Sequence, residues 1–313
     1  MHPAYSVIFF TTLTGFGYGL IVMYGFALID PTTLAGKIGY VIALATIGGG
    51  LLSSTLHLGH PERAVLAFSQ WRSSWLSREG VAAVIGFIPM GLAAFGAIIL
   101  GENWHILAVV ASLLSITTVY CTSMIYAQLK TVHHWATPLT CVTYALFSLT
   151  GGYLGAVAIG SFSGHSVKGD AGLALAILVF TWVIKGFWWR RADTDRAPAS
   201  IETATGLGRF GPVRLLDKPH MTDNYLNREM GYVVARKHAL ALRRITWILG
   251  LGAPAVLLVA SYAVSGIAAA LILTLAVLSY LAGTFVERWL FFAEARHTVS
   301  LYYGQSLENG LEQ

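Results

Sequence analysis

Eight apolar runs, each long enough to cross the roughly 30 Å hydrocarbon core of a bilayer, take up most of this chain. They lie at about 5–29, 37–56, 81–100, 106–127, 137–159, 171–189, 245–265 and 266–286. Within hydrocarbon every backbone N–H and C=O must be paired inside the protein, so a span is either a helix or part of a closed barrel. No run shows the short alternating segments of barrel strands. The sequence therefore predicts an all-α polytopic membrane protein, an eight-transmembrane-helix bundle forming one integral domain over residues 1–313. Only 11% of residues are charged, against about a quarter in soluble domains, which excludes a soluble fold. The last two runs meet at Gly266 and predict a helical hairpin. The start, Met1-His2-Pro3, lacks the basic region and cleavage site of a signal peptide, so the first run is expected to be retained.

An even number of spans puts both termini on one face, together with the 2–3, 4–5 and 6–7 loops. Eighteen of the twenty Lys and Arg residues belong to that face; Lys37 and Lys168 alone belong to the other. Loops rich in Lys and Arg stay in the cytoplasm, which predicts a multi-pass membrane protein with cytoplasmic termini. The same asymmetry explains the net charge of +5 without invoking nucleic acid.

The sizeable polar region is the basic loop at 190–244. Its first part is rich in Gly and Pro. A helix is expected from Asp223, whose carboxylate could cap it. Arg236/Lys237 and Arg243/Arg244 recur seven residues apart. They make either a stripe facing lipid headgroups or a platform on which a soluble subunit docks.

Several signals are weaker than they look. Gly206-Leu-Gly208-Arg-Phe-Gly211 matches a dinucleotide-binding pattern but follows no strand, so the phosphate cradle lacks its scaffold. Gly15 and Gly19, one turn apart in the first span, suit close helix approach. Two cysteines, Cys121 and Cys141, are too few for a cysteine-ligated iron–sulfur cluster. No histidine lies mid-span, where the axial ligands of a membrane haem belong. Lys185 and Glu287–Arg288 fall near the predicted cytoplasmic edge, where long side chains can snorkel to the headgroups.

The informative stretch runs from His57 to Gly80. It holds His57, Gly59, Pro61 and Arg63, then Arg72, Arg78 and Glu79 at the start of the third span. A quinone head group needs such residues. Its carbonyl oxygens accept hydrogen bonds from His or Arg, and its reduction takes up two protons with two electrons. His57 can donate to a carbonyl and relay protons, Glu79 is a second proton carrier, and the arginines can offset negative charge on the reduced ring. The bland alternative is an interfacial belt in which Trp71 and Trp75 sit among headgroups and the arginines snorkel.

The run Leu56-His57-Leu58-Gly59 with Pro61, Arg63 and Ala64 resembles the anchor subunit of dimethyl sulfoxide reductase. Leu76-Ser77 with Glu79, Tyr126, Trp135, Thr137-Pro138, Gly151-Gly152, Gly283, Glu287 and Arg288 extend that likeness across the spans. The 6–7 loop departs from it. Ile201 to Gly211, Asn224-Tyr225, Glu229-Met230-Gly231 and Ala235 to His238 are similar to the membrane subunit of cytoplasmic sulfite dehydrogenases. The resemblance implies a quinone-reactive anchor (ubiquinone or menaquinone) without haem or iron–sulfur cluster of its own. Its partners would be an iron–sulfur subunit and a molybdopterin catalytic subunit at the cytoplasmic face. His57 and Glu79 would inherit the roles of the matching residues.

Three functions follow as expectations. The chain is the membrane subunit of a sulfite:quinone oxidoreductase, its molybdenum site on another chain; or a quinol-oxidising anchor of a dimethyl sulfoxide reductase-type complex; or a transporter or structural anchor without redox role.

Overall fold

The computed structural model describes residues 5–55, 60–164, 168–194, 199–217 and 238–303. Eight helices in it are long and apolar enough to cross a membrane: α1 (Tyr5–Gly25), α2 (Leu34–Thr55), α3 (Trp75–Leu100), α4 (His105–Ala127), α5 (Pro138–Phe162), α6 (Lys168–Thr194), α7 (Ala239–Ala263) and α8 (Gly266–Ala293). No strand occurs among the described residues, so the expected all-α polytopic bundle is the fold.

Local chemistry sets the boundaries. Thr137 caps α5, its hydroxyl accepting from the Leu139 N–H at 3.4 Å, and Pro138 fills the first helical position, where no N–H is needed. Pro138 therefore starts a helix rather than kinking one. Gly266 has φ +62°, the left-handed geometry that reverses the chain between α7 and α8. The last turns of α3 and the middle of α7 are π-helical, at Gly96–Leu100 and Ile248–Gly252.

α1 and α5 are the most buried helices and form the centre, while α2 and α7 are mostly exposed. α1 packs on α2, α4, α5 and α8; α3 packs on α4; α6 packs on α5 and α7. The α1–α5 contact is made at Gly19 and Gly152, where a Cβ on either would run into the other helix's backbone. Of the two glycines singled out in α1, only Gly19 works this way. Gly15 has open space beside it, and its carbonyl accepts from Ser148 Oγ at 2.7 Å.

Three expectations need correction. α3 begins at Trp75, six residues earlier than the apolar run, so Glu79, expected at the start of the span, lies in the second turn of the helix. α6 and α8 run on to Thr194 and Ala293. Lys185, Glu287 and Arg288 consequently do not snorkel: they are 1%, 0% and 2% exposed and turn towards one another in the interior. Helices continue past their apolar stretch when neighbouring helices satisfy the charges laterally, so hydropathy alone marks the ends too early.

The Gly206–Gly211 segment is a turn with positive φ at both ends around a short 3-10 helix, with no strand before it. Arg243 sits in α7 and binds Asp193 through Nη1 and Nη2 at 2.6 and 2.9 Å and Glu294 through Nε at 2.7 Å. It clamps α6, α7 and α8 together, and is not part of a headgroup stripe. Asp223, Arg236 and Lys237 lie outside the described residues.

Candidate functional site

Residues 61–74 turn the polar stretch into a wall. Pro61–Gln70 forms a 3-10 helix, opened by Pro61. Ser77 Oγ donates to the Ala67 carbonyl, and Arg78 donates from Nε to the Trp71 carbonyl at 3.0 Å and from Nη2 to the Arg72 carbonyl at 2.7 Å. The Arg78 guanidinium also lies 4.3 Å over the Trp75 ring. These bonds hold the loop against the start of α3.

The loop closes a cavity of about 680 Å³. Val7 and Phe10 of α1, Leu51, Ser54 and Thr55 of α2, and Ile125 and Tyr126 of α4 form one side. His60, Arg63 and Phe68 of the loop and Leu76, Glu79 and Ala83 of α3 form the other. The size falls within the roughly 300–1,000 Å³ of small-molecule sites, and like them the walls are mostly apolar with a few polar groups. Leu76 and Val84 line it and are each more than half exposed, so the cavity reaches the surface of the bundle that faces lipid.

Of the residues named from sequence, Glu79, Arg63 and the neighbouring His60 meet on this cavity. Arg72 and Arg78 do not line it. Arg72 stacks over Trp71 at 5.3 Å, and Arg78 ties the loop. His57 and Gly59 lie outside the described residues; in sequence His57 falls between Thr55 and His60, both on the cavity wall.

Glu79 is 4% exposed and accepts a hydrogen bond from Thr122 Oγ1 of α4. Sequence reading missed Thr122. The available signal was its spacing of four from Tyr126, which places both on one face of α4. Tyr126 passes from the cavity into an aromatic cluster with Trp135, Tyr144, Phe291 and Phe292, at centroid distances of 5.3, 5.8, 5.6 and 5.4 Å.

A second polar group lies deeper. Lys185 Nζ is 2.5 Å from Glu287 Oε1, and Arg288 Nη1 is 3.4 Å from Glu287 Oε2. Lys185 sits over the Trp188 ring at 3.7 Å and Arg288 over the Tyr144 ring at 3.7 Å. Among the described residues no cluster of His, Cys, Asp and Glu is arranged to hold a metal ion.

Beyond the membrane helices, the 4–5 loop is pinned to the end of α8. Trp135 Nε1 donates to the Phe291 carbonyl at 3.0 Å, and His134 Nδ1 lies 3.3 Å from the Glu294 carbonyl. His134 is 7% exposed, and burial above all holds its pKa down to about 4; the neighbouring His133 and Arg296 push the same way and the Glu294 carbonyl opposes them. The fold thus favours neutral His134. The unfolded chain takes up a proton near pH 6.5 and the folded chain only near pH 4, so stability is full above about 6.5 and declines between those values. The loss expected by about pH 4 is of order 3 kcal/mol. Detergent-solubilised protein should show an unfolding midpoint that falls between about pH 7 and 4.5. His134→Asn should flatten that slope, and an unchanged slope would show that another group is responsible.

Residues 1–304 match the DMSO reductase anchor subunit (DmsC) family. A sulfite dehydrogenase subunit of Allochromatium vinosum is 30% identical over 325 residues, covering 97% of this chain and 99% of that protein. A subunit of the anaerobic dimethyl sulfoxide reductase of Haemophilus influenzae is 30% identical over 157 residues, 47% of this chain and 54% of that one. No solved structure matches.

Proposed function

The chain belongs to the DMSO reductase anchor subunit family, and from that premise we propose that it is the quinone-reactive subunit of a sulfite:quinone oxidoreductase in a bacterial inner membrane. The observation that carries this reading is the cavity of about 680 Å³ with buried Glu79 on its wall and His60 and Arg63 beside it. Apolar walls suit the ring and the first isoprenoid units of a quinone. The polar end supplies donors for its carbonyl oxygens.

A bound quinone would accept two electrons and two protons. Glu79 moves protons at its carboxyl oxygens, fixed by Thr122. Arg63 offsets negative charge developing on the ring. His57, the histidine of the family-like motif, donates to a carbonyl oxygen. The full-length likeness to a sulfite dehydrogenase subunit, against a half-length likeness to a dimethyl sulfoxide reductase subunit, favours electron flow from sulfite to quinone.

Electrons arrive from an iron–sulfur partner that docks on the face carrying the 2–3, 4–5 and 6–7 loops. Lys and Arg concentrate there, so that face is the cytoplasmic one and both termini are cytoplasmic. The cavity lies in the same half of the bundle, which keeps the electron path short. The exposed part of the 190–244 loop provides the platform.

The test uses the complex purified with its partner subunits. Sulfite should reduce a short-chain ubiquinone, and dimethyl sulfoxide should not oxidise the corresponding quinol; the opposite pattern would assign the anchor to a reductase. His57→Ala should assemble normally and lose at least about tenfold in quinone turnover. Undiminished turnover would remove the histidine from the redox chemistry.

A further inference from the structure

Glu79 faces the cavity described above, yet its other side does not end in apolar packing. Thr122, its hydrogen-bond donor, also borders a second, smaller cavity between α1, α4, α5 and α8. That cavity measures about 20 Å³, more than the roughly 10–15 Å³ that a water molecule requires. Its wall is rich in hydroxyls. Thr12 Oγ1 and Tyr144 OH are both buried there without a hydrogen-bond partner among the described residues. A buried hydroxyl left unpaired is costly, and water in this space would give such hydroxyls a partner.

On the far side the cavity is bordered by Arg288. Arg288 adjoins Glu287 at 3.4 Å, and Glu287 adjoins Lys185 at 2.5 Å. Glu294 follows Glu287 by seven residues, two turns and about 10 Å along the same helix face. It binds Arg243, which binds Asp193, and the Asp193 side chain is 24% exposed at the loop-bearing face. Stability does not account for the buried ions. Well-packed apolar residues usually serve as well as a buried ion pair, and ionisable groups inside a membrane domain mark proton or ion pathways.

We propose that Lys185, Glu287, water in the hydroxyl-lined cavity and Thr122 form a buried proton path from the loop-bearing face to Glu79, with Arg288, whose guanidinium stays protonated, orienting Glu287 and the water beside it. This rests on the reading of the larger cavity as the quinone site. For each quinone reduced, two electrons come from the partner's iron–sulfur cluster and two protons come through this path. One O–H bond forms at each carbonyl oxygen, and Glu79 is reprotonated through Thr122 after each transfer. Electrons and protons enter from one side, so turnover moves no net charge across the membrane.

The whole complex in proteoliposomes, docking face outward, tests this with sulfite as donor and decylubiquinone as acceptor. An entrapped pH dye should report a constant interior pH, and a potential-sensitive dye no membrane potential. Interior alkalinisation during turnover would overturn the path, with no variant needed. Thr122→Val and Glu287→Gln preserve shape. Each should slow turnover about tenfold with little change in quinone KM, and should raise the solvent deuterium isotope effect as proton delivery becomes limiting. Thr117→Val, an exposed position on the same helix, should match wild type. Wild-type rate and isotope effect in both path variants would also overturn the path while leaving the quinone site standing. A wild-type complex that turns over no quinone with either sulfite or dimethyl sulfoxide sinks the site and the path together.

Discussion

Replacing Glu79 with glutamine should leave the complex assembled and cut quinone turnover about a hundredfold. The size follows from the role: a positioned acid–base group contributes about 10²–10⁴ in rate. Glutamine matches glutamate in volume and can still accept the hydrogen bond from Thr122 Oγ1, so the α3–α4 contact persists. What the amide cannot do is carry a proton. Quinone KM should change by less than about threefold, because a group needed only during proton transfer affects kcat more than binding. Glu79→Asp should recover part of the rate, since it restores the proton but shortens the reach to the cavity. Steady-state kinetics of the purified complex with a short-chain quinone decide the matter. A glutamine variant at wild-type rate would mean that protons reach the quinone by another residue, His60 being a candidate on the same wall. A rise in KM with kcat unchanged would recast Glu79 as a binding group.

Gly152→Leu should prevent the bundle from forming. At the α1–α5 crossing, a Cβ on Gly152 would overlap the carbonyl carbon, oxygen and Cα of Gly19. Those are backbone atoms of the most buried helix pair, so no side chain can rotate away and the helices themselves must part. Over-packing in a close-packed core costs about 1–3 kcal/mol where side chains can adjust. Here the cost should exceed about 3 kcal/mol, and most of the protein should be lost from the membrane fraction. Gly152→Ala adds the same Cβ against the same backbone and should also cost more than about 3 kcal/mol, though less than leucine. Gly48, in α2, has nothing within 4 Å of an added Cβ. Gly48→Ala should therefore stay within about 0.5 kcal/mol of wild type. Thermal unfolding in detergent, read by fluorescence-detected size exclusion, ranks the three. Equal stability for the Gly152 and Gly48 variants would mean that α1 and α5 do not meet this closely.

Much of the architecture was legible in the residues. Hydrocarbon demands one run of about 20 apolar residues per span, and the chain has eight. The Gly266 turn follows from backbone chemistry that the sequence displays, whereas Pro138, which in sequence reads as a possible kink, opens α5 behind the Thr137 cap. The candidate site was legible in part. Arg63 and Glu79 stand within a short stretch whose polarity beside an apolar run is unusual; His60, which sequence reading passed over, joins them on the wall. Arg72 and Arg78 belong to the same stretch, but Arg78 spends its donors on loop carbonyls, which composition cannot reveal. Thr122 and the Lys185–Glu287–Arg288 cluster were out of reach for a different reason. Lys185 and Glu287 stand far apart in the sequence, and a single charged residue near the end of an apolar run reads as a snorkelling anchor.

The chain's own sequence determined the number of helices, their order and the shared face of the three long polar connections. Each of those depends on local transfer of residues between water and hydrocarbon, a property that adds up along the chain. Only the tertiary structure decided which charges are buried, which helix supplies the partner of Glu79 and where two cavities lie relative to it. Those depend on the rotation of each helix about its axis and on the distance between axes. Both are set by contacts such as Gly19 against Gly152, between residues far apart in sequence.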